Sequence, residues 1–366
     1  MAVDPLQAWM LPLTAGWRAS EAWWGVLGQG EAREPPAFAT DNEIVLDLPT
    51  LRLRRFARGM PAARGGRRAR AEAPGPPVLI VGPYALHHAS IVDLAPGHSI
   101  VERLLAEGLP EVWVAEWRSA TPAMAGFGID SCLADLLVVV DDLGGRAALV
   151  GICQGGWLSL AFAARFAAKV ASLVLAGAPV DYDAAPSFLV EAARATPPAV
   201  VDALVAAGGG RALSHHLLAS WGIAALDEAG MKAILQSRGS PPAALADRLQ
   251  AWNGWAVDLP GRYFTEVFEK LFRGNALATG HFTALGRTAD LRAVLGPVCL
   301  LAGRRDAIAP PGQVLAVRHL VGTPAHDMLV LQADCDHLPL FLGRDSLAGA
   351  WARIARWLQG HEGPHA

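Results

Sequence analysis

The chain carries two kinds of apolar pattern, and they alternate. Short, mainly apolar runs at 78–81, 111–117, 147–150, 172–177, 297–303 and 328–333 read as strands. Between them, apolar positions recur every three or four residues over 99–107, 130–143 and 159–165, the spacing of a helix packed by one face. Residues 43–48 alternate apolar and polar side chains like a half-exposed strand, and 348–358 reads as a closing helix. Apolar strands separated by helices predict an α/β chain with a mainly parallel sheet and helices on both faces.

The alternation stops near Tyr182. From there to about Arg292 the pattern is helical, with no clear buried strand, and includes Trp221, Trp252 and Trp255. This predicts a helical cap inserted over the C-terminal edge of the sheet, where it would shape a pocket and exclude water; a separate helical domain without a chemical role is the alternative. The expected division is an N-terminal helical segment at 1–42, a first core part at 43–181, the cap at 182–292 and a second core part at 293–366. Trp9, Trp17, Trp23 and Trp24 sit among apolar neighbours in the first segment. They fit helices packed on the main body, or an interfacial helix touching a membrane or a hydrophobic granule.

Charge narrows the partners only a little. Lys and Arg total 31 against 34 Asp and Glu, and 52% of residues are hydrophobic, a globular composition that names no polyanion. Arg52, Arg54, Arg55, Arg58, Arg64, Arg67, Arg68 and Arg70 form a basic stretch broken by Gly and Pro. No aromatic interleaving accompanies it, so a nucleic-acid partner is not expected; a solvated loop, or a mild attraction for anionic coenzyme A esters, is. Cys132, Cys153, Cys299 and Cys335 form no CxxC pair and no metal-ligand spacing. Cys132 and Cys299 read as core, and a reducing cytoplasm is the expected compartment. No basic leader opens the chain and no uncharged apolar run reaches bilayer length. No phosphate loop, metal cluster or dinucleotide fingerprint appears, so no bound cofactor is expected.

One turn carries chemistry. Gly151-Ile152-Cys153-Gln154-Gly155-Gly156 follows the strand at 147–150 and precedes a helical stretch. Strand, glycine-flanked turn and helix make a nucleophile elbow, with cysteine where serine is usual. A helix N-terminus aimed at the sulfur favours thiolate. Simple core packing is the competing reading of Cys153. Two later strands end near residues of the complementary types: 297–303 leads to Asp306, and 328–333 leads to His337. Nucleophile, acid, histidine is the chain order of one class of acyl-transfer sites. Cys153 would hold an acyl group as a thioester and His337 would take the thiol proton. Asp306 would orient the imidazole or activate a hydroxyl acceptor. The backbone N–H of Gln154, with one from Ala85 or Leu86, would form the oxyanion hole. Asp306 also fits a helix cap before Pro310, while Asp181 and Asp183 remain competing acids and His87 and His88 competing bases.

These residues resemble the polyhydroxyalkanoate synthase and depolymerase branch of the α/β-hydrolases over most of 45–358. The cysteine box is similar to the synthases' lipase-like box, and residues 77–85 to their first core strand. Ile91-Val92-Asp93-Leu94 with Glu116-Trp117-Arg118, Asp306-Ala307-Ile308-Ala309-Pro310 and Asp336-His337-Leu338 resemble further signatures, in the right order. Tyr263-Phe264-Thr265-Glu266-Val267, Leu271-Phe272-Arg273-Gly274-Asn275 and Cys335-Asp336-His337 are closer to intracellular depolymerases, which usually carry proline where Gly155 stands. Synthases usually have histidine at Ala307 and glycine at Asp336, where a carboxylate is expected to raise the pKa of His337. The resemblance implies an α/β-hydrolase fold and an acyltransferase acting on 3-hydroxyacyl-coenzyme A, with coenzyme A as leaving group. A hydrolase, either depolymerase or thioesterase, is the alternative, and a granule-bound scaffold without activity a third. It also implies a granule surface, a second synthase subunit or a homodimer as partners.

Overall fold

Hydrophobic runs become strands as expected, and one strand appears where charge concealed it. The computed structural model describes residues 34–59, 75–214, 216–217, 230–236 and 242–360. Trp9, Trp17, Trp23, Trp24, Arg64, Arg67, Arg68, Arg70 and Trp221 lie outside the described residues. Eight strands form one sheet: β1 (Asn42–Asp47), β2 (Leu51–Ala57), β3 (Val78–Val81), β4 (Glu111–Trp117), β5 (Ala147–Ile152), β6 (Val170–Ala176), β7 (Val298–Gly303) and β8 (Met328–Ala333). Their spatial order is β1-β2-β4-β3-β5-β6-β7-β8. The pairs from β4 to β8 are parallel, and β1 and β2 join antiparallel at the edge.

Alternate strand residues feed two separate cores, which is why β3 and β5 are apolar throughout. Leu79, Val81, Leu149 and Leu173 pack with α2 (Ile129–Asp142) and α3 (Gln154–Arg165) through Leu133, Leu136, Leu160 and Phe162. Val78, Ile80, Val150 and Val174 face the other way, against Ile100, Val101 and Leu104 of α1 (Ile100–Ala106) and Ile354 of the closing helix. That helix, expected at 348–358, starts with a π turn at Leu347–Trp351 and continues as Ala352–Leu358.

Strand β2 corrects the solvated-loop expectation for the first arginines. Leu51, Leu53 and Phe56 point inward, while Arg54 pairs with Glu116 at 2.5 Å and Arg55 with Glu111 at 2.9 Å and Glu43 at 3.1 Å. These arginines are structural and partnered, not a lure for anions. Arg58 donates to the Leu105 carbonyl at 2.8 Å.

Glu116 is the centre of this edge: its other oxygen meets His88 Nε2 at 2.8 Å, and its side chain is 3% exposed. Burial alone would raise its pKa; His88 and Arg54 outweigh burial and hold it at about 2. A folded-state pKa below the ordinary 4.5 stabilises above that value and is lost as pH falls toward 2. Glu116→Gln should therefore cost on the order of 3 kcal/mol at pH 7, and progressively less below pH ~4.5, in urea unfolding titrations.

Between β6 and β7 the chain leaves the sheet through α4 (Phe188–Ala195), α5 (Pro198–Ala207), α6 (Pro242–Asn253) and α7 (Gly261–Val267). A π turn at Phe268–Arg273 follows. Among the described residues, the expectation of no strand here needs correction for two short ladders, Arg211–Ala212 with Leu259–Pro260 and Thr283–Ala284 with Arg287–Thr288.

Candidate active site

Cys153 occupies the single-residue turn between β5 and α3, with φ 49° and ψ −120°. A left-handed backbone at a residue with a Cβ is strained, and strain of this kind persists where the surroundings over-determine it. The surroundings here are close backbone contacts. The Cys153 N–H donates to the Ala176 carbonyl at 2.9 Å, and its own carbonyl accepts from Gly156 N–H at 2.9 Å. The helix begins at Gln154, five residues before the stretch read as helical from sequence.

The flanking glycines are there because two backbones nearly touch. A Cβ at Gly155 would lie 2.1 Å from the Val81 carbonyl oxygen and 2.5 Å from that of Gly82. One at Gly151 would meet Gly156 Cα at 2.4 Å. Proline at 155 would need β3 displaced, so this backbone accommodates the synthase-type box. Gly155→Ala should cost about 3 kcal/mol or more, since neither neighbour is a movable side chain. Thermal unfolding or loss of soluble protein checks this.

Asp306 and His337 come together as expected from their strand ends. His337 Nδ1 meets Asp306 Oδ2 at 2.6 Å, with both groups buried. Asp306 Oδ1 accepts the Ile308 and Ala309 N–H groups at 2.9 and 2.8 Å, bonds that bend the chain ahead of the helix Pro311–Leu315. That helix is capped by Pro310, so Asp306 braces the turn and holds the histidine rather than capping a helix. His337 lines the same cavity as Cys153. Burial alone would push this imidazole down; Asp306 and the Cys153 sulfur outweigh it and hold it well above the usual histidine range. Asp336 is not the cause, which corrects the sequence expectation. It precedes the helix His337–Leu342 and turns outward, half-exposed, with Arg305 at 3.9 Å.

The competing residues are engaged elsewhere. His88 binds Glu116, and Asp181 and Asp183 both accept from Asn275. His87 stays in play: it lines the same cavity as Cys153, its ring tilted against Trp252 with centroids 4.3 Å apart. The other cysteines are unreactive in character. Cys132 and Cys299 are fully buried, burial raises Cys132 well above a normal thiol, and burial with the nearby Asp306 pushes Cys335 up to about 12.

The cavity above Cys153 measures about 130 Å³ and is lined by Leu86, Leu189, Trp252, Tyr263, Phe268 and Phe272, among others. Ala85, Leu86 and Gln154, the expected oxyanion-hole residues, line it too, and Leu86 has φ 58°. Such walls suit an acyl chain. Sequence reasoning missed the contribution of α4 and the π turn, because helical periodicity does not say which face meets a pocket. Among the described residues no cluster of three or more His, Cys, Asp or Glu could hold a metal, and no helix is long and apolar enough to cross a membrane.

The signatures outside the site are architectural ties. Asp93 accepts from Thr40 and Ser99, anchoring the segment before β1, and Trp117 Nε1 donates to the Gly82 carbonyl at 2.8 Å.

Comparison with known proteins agrees with this layout. A family model described as alpha/beta hydrolase fold matches residues 112–343. The poly(3-hydroxyalkanoate) polymerase subunit PhaC of Haloferax mediterranei is 25% identical over 297 residues, which cover 77% of this chain and 58% of that protein. The chain thus spans under two thirds of that relative. The subunit of the same name from Synechocystis is 26% identical over 300 residues, covering 77% of each. Among solved structures, the monoacylglycerol lipase of Paleococcus ferrophilus superposes with a TM-score of 0.51 at 17% identity, over 79% of this chain and 97% of that one. That last likeness concerns the fold alone.

Proposed function

The chain belongs to the alpha/beta hydrolase fold family, and on that footing we propose a polyhydroxyalkanoate synthase-like acyltransferase that works through a covalent cysteine intermediate. The observation that carries this reading is Cys153 in a strained turn, sharing one cavity with a histidine that is itself held by Asp306. The similarity to poly(3-hydroxyalkanoate) polymerase subunits supports 3-hydroxyacyl-coenzyme A thioesters as the substrate class in this reading.

In the first half-reaction the Cys153 thiol gives its proton to His337 and its sulfur attacks the thioester carbonyl. Backbone N–H groups of Gln154 and of Ala85 or Leu86 receive the oxyanion. The carbon–sulfur bond to coenzyme A breaks, and coenzyme A leaves as a thiol with the proton from His337. In the second half-reaction a hydroxyl gives its proton to His337 and attacks the acyl-cysteine. The new ester forms, the bond to Cys153 breaks, and the thiol regains its proton. Asp306 keeps the imidazole oriented throughout. A cytoplasmic setting at a granule surface, with a second subunit or a second copy of the chain, fits the same reading.

Incubation with 3-hydroxybutyryl-coenzyme A tests it. Acylation of Cys153 by intact mass, followed by polyester, is expected. Free acid without polymer, even beside candidate partner subunits, moves the assignment to the hydrolase alternative, and no acyl-enzyme at all sinks both. Iodoacetamide at neutral pH should label Cys153 before Cys132, Cys299 or Cys335.

A further inference from the structure

The wall of the cavity is held by one amide far from the reacting sulfur. Asn275 is 4% exposed and has φ 46°. Its Nδ2 donates to Asp181 Oδ1 at 2.8 Å and to Asp183 Oδ2 at 2.9 Å, while its Oδ1 accepts the Tyr182 N–H at 3.0 Å. Residues 181–183 are where the chain leaves the sheet after β6. Asn275 lies just past the π turn Phe268–Arg273 that bears two of the cavity's phenylalanines.

Further bonds tie the same elements together. The other oxygen of Asp183 meets Arg194 Nη2 at 2.6 Å, and Arg194 Nε donates to the Phe272 carbonyl at 3.1 Å. Arg273 Nε donates to Ala193 at 3.4 Å, binding the π turn to α4, which supplies Leu189 to the cavity. The Tyr182 and Phe272 rings lie 5.0 Å apart. A π turn is an uncommon geometry that concentrates at functional sites. Here it aims Phe268 and Phe272 inward, and the Asn275 amide fixes its end.

We propose that Asn275 is a positioning residue that determines which acyl chains the cavity accepts, by locking the Leu189, Phe268 and Phe272 wall to the start of the segment between β6 and β7. This rests on the acyl-transfer reading for its substrate class. Loss of the amide leaves Asp181 and Asp183 without their shared donor, and the wall is freed to shift while Cys153, His337 and Asp306 keep their places on the sheet.

Asn275→Gly and Asn275→Asp are the informative variants, since both residues tolerate a left-handed backbone. The measurement is kcat and KM for acylation of Cys153 by 3-hydroxyacyl thioesters from four to twelve carbons. The expected result is a KM for the preferred length raised about tenfold, with kcat within about twofold and a flattened length preference. Phe272→Leu, which alters the wall with the amide intact, should change length preference as well. Loss of kcat in parallel at every length, tracking a fall in Tm, would mark a purely structural role and overturn the proposal, as would an unchanged preference in both Asn275 variants. Thermal shift of the whole chain by saturated fatty acids of the same lengths reads the wall without any chemistry. If wild-type Cys153 is never acylated, the functional reading fails, and the fatty-acid series still decides for or against the latch.

Discussion

Cys153→Ala should abolish acyl transfer, lowering kcat by about 10⁴-fold or more, with the fold intact. Among the described residues no other cysteine lines this cavity. Cys132 and Cys299 are fully buried, and Cys335, whose thiol is pushed up to about 12, is not among the side chains lining the cavity. Serine at 153 keeps an attacking atom but needs its proton removed from a far weaker acid, so Cys153→Ser should fall between wild type and alanine. Stability gives the prediction a second axis. The φ of 49° at Cys153 costs about 1–3 kcal/mol in any residue with a Cβ, and glycine removes that cost. Cys153→Gly should therefore be inactive yet no less stable than Cys153→Ala, and urea unfolding of the two side by side checks it. Equal turnover in Cys153→Ala and wild type would leave the strained turn without a chemical purpose.

How far the sequence could be read depended on what each residue needed from elsewhere. Strands β3, β5 and β7 were legible because apolar runs buried on both faces of a sheet depend on no particular partner. Strand β2 was hidden because Arg52, Arg54 and Arg55 look solvated until Glu43, Glu111 and Glu116 are brought beside them by pairing with β1 and β4. The positions of Asp306 and His337 were legible because each follows a strand that ends on the same edge as Cys153. Their sequence neighbours misled: Asp336 adjoins His337 in the chain but turns outward, while Asp306, 31 residues away, makes the contact. Asn275 showed only as the end of the signature at 271–275; its role was hidden because its three side-chain bonds reach 92 to 94 residues back along the chain.

Asp306→Asn should reduce kcat nearly as far as loss of the sulfur, by about 10²- to 10⁴-fold, for a reason visible in the two oxygens of the carboxylate. Oδ1 holds the Ile308 and Ala309 N–H groups, and Oδ2 faces His337 Nδ1. An asparagine has one acceptor oxygen, and two backbone donors claim it. Its NH₂ then faces Nδ1, which must give up its proton and accept. The proton moves to Nε2, and the nitrogen that should receive the thiol proton becomes a donor. The same substitution removes the main charge opposing burial, so the imidazole pKa falls. A histidine whose folded pKa is raised contributes stability that is complete below its unfolded value of about 6.5 and is lost as pH rises through the folded value. Wild type should therefore exceed Asp306→Asn in unfolding free energy most clearly near pH 5–6, and the gap should narrow as pH rises through the elevated His337 pKa. A gap that widened with pH would mean that His337 is neutral in the folded protein, and the ion pair at this site would have to be abandoned.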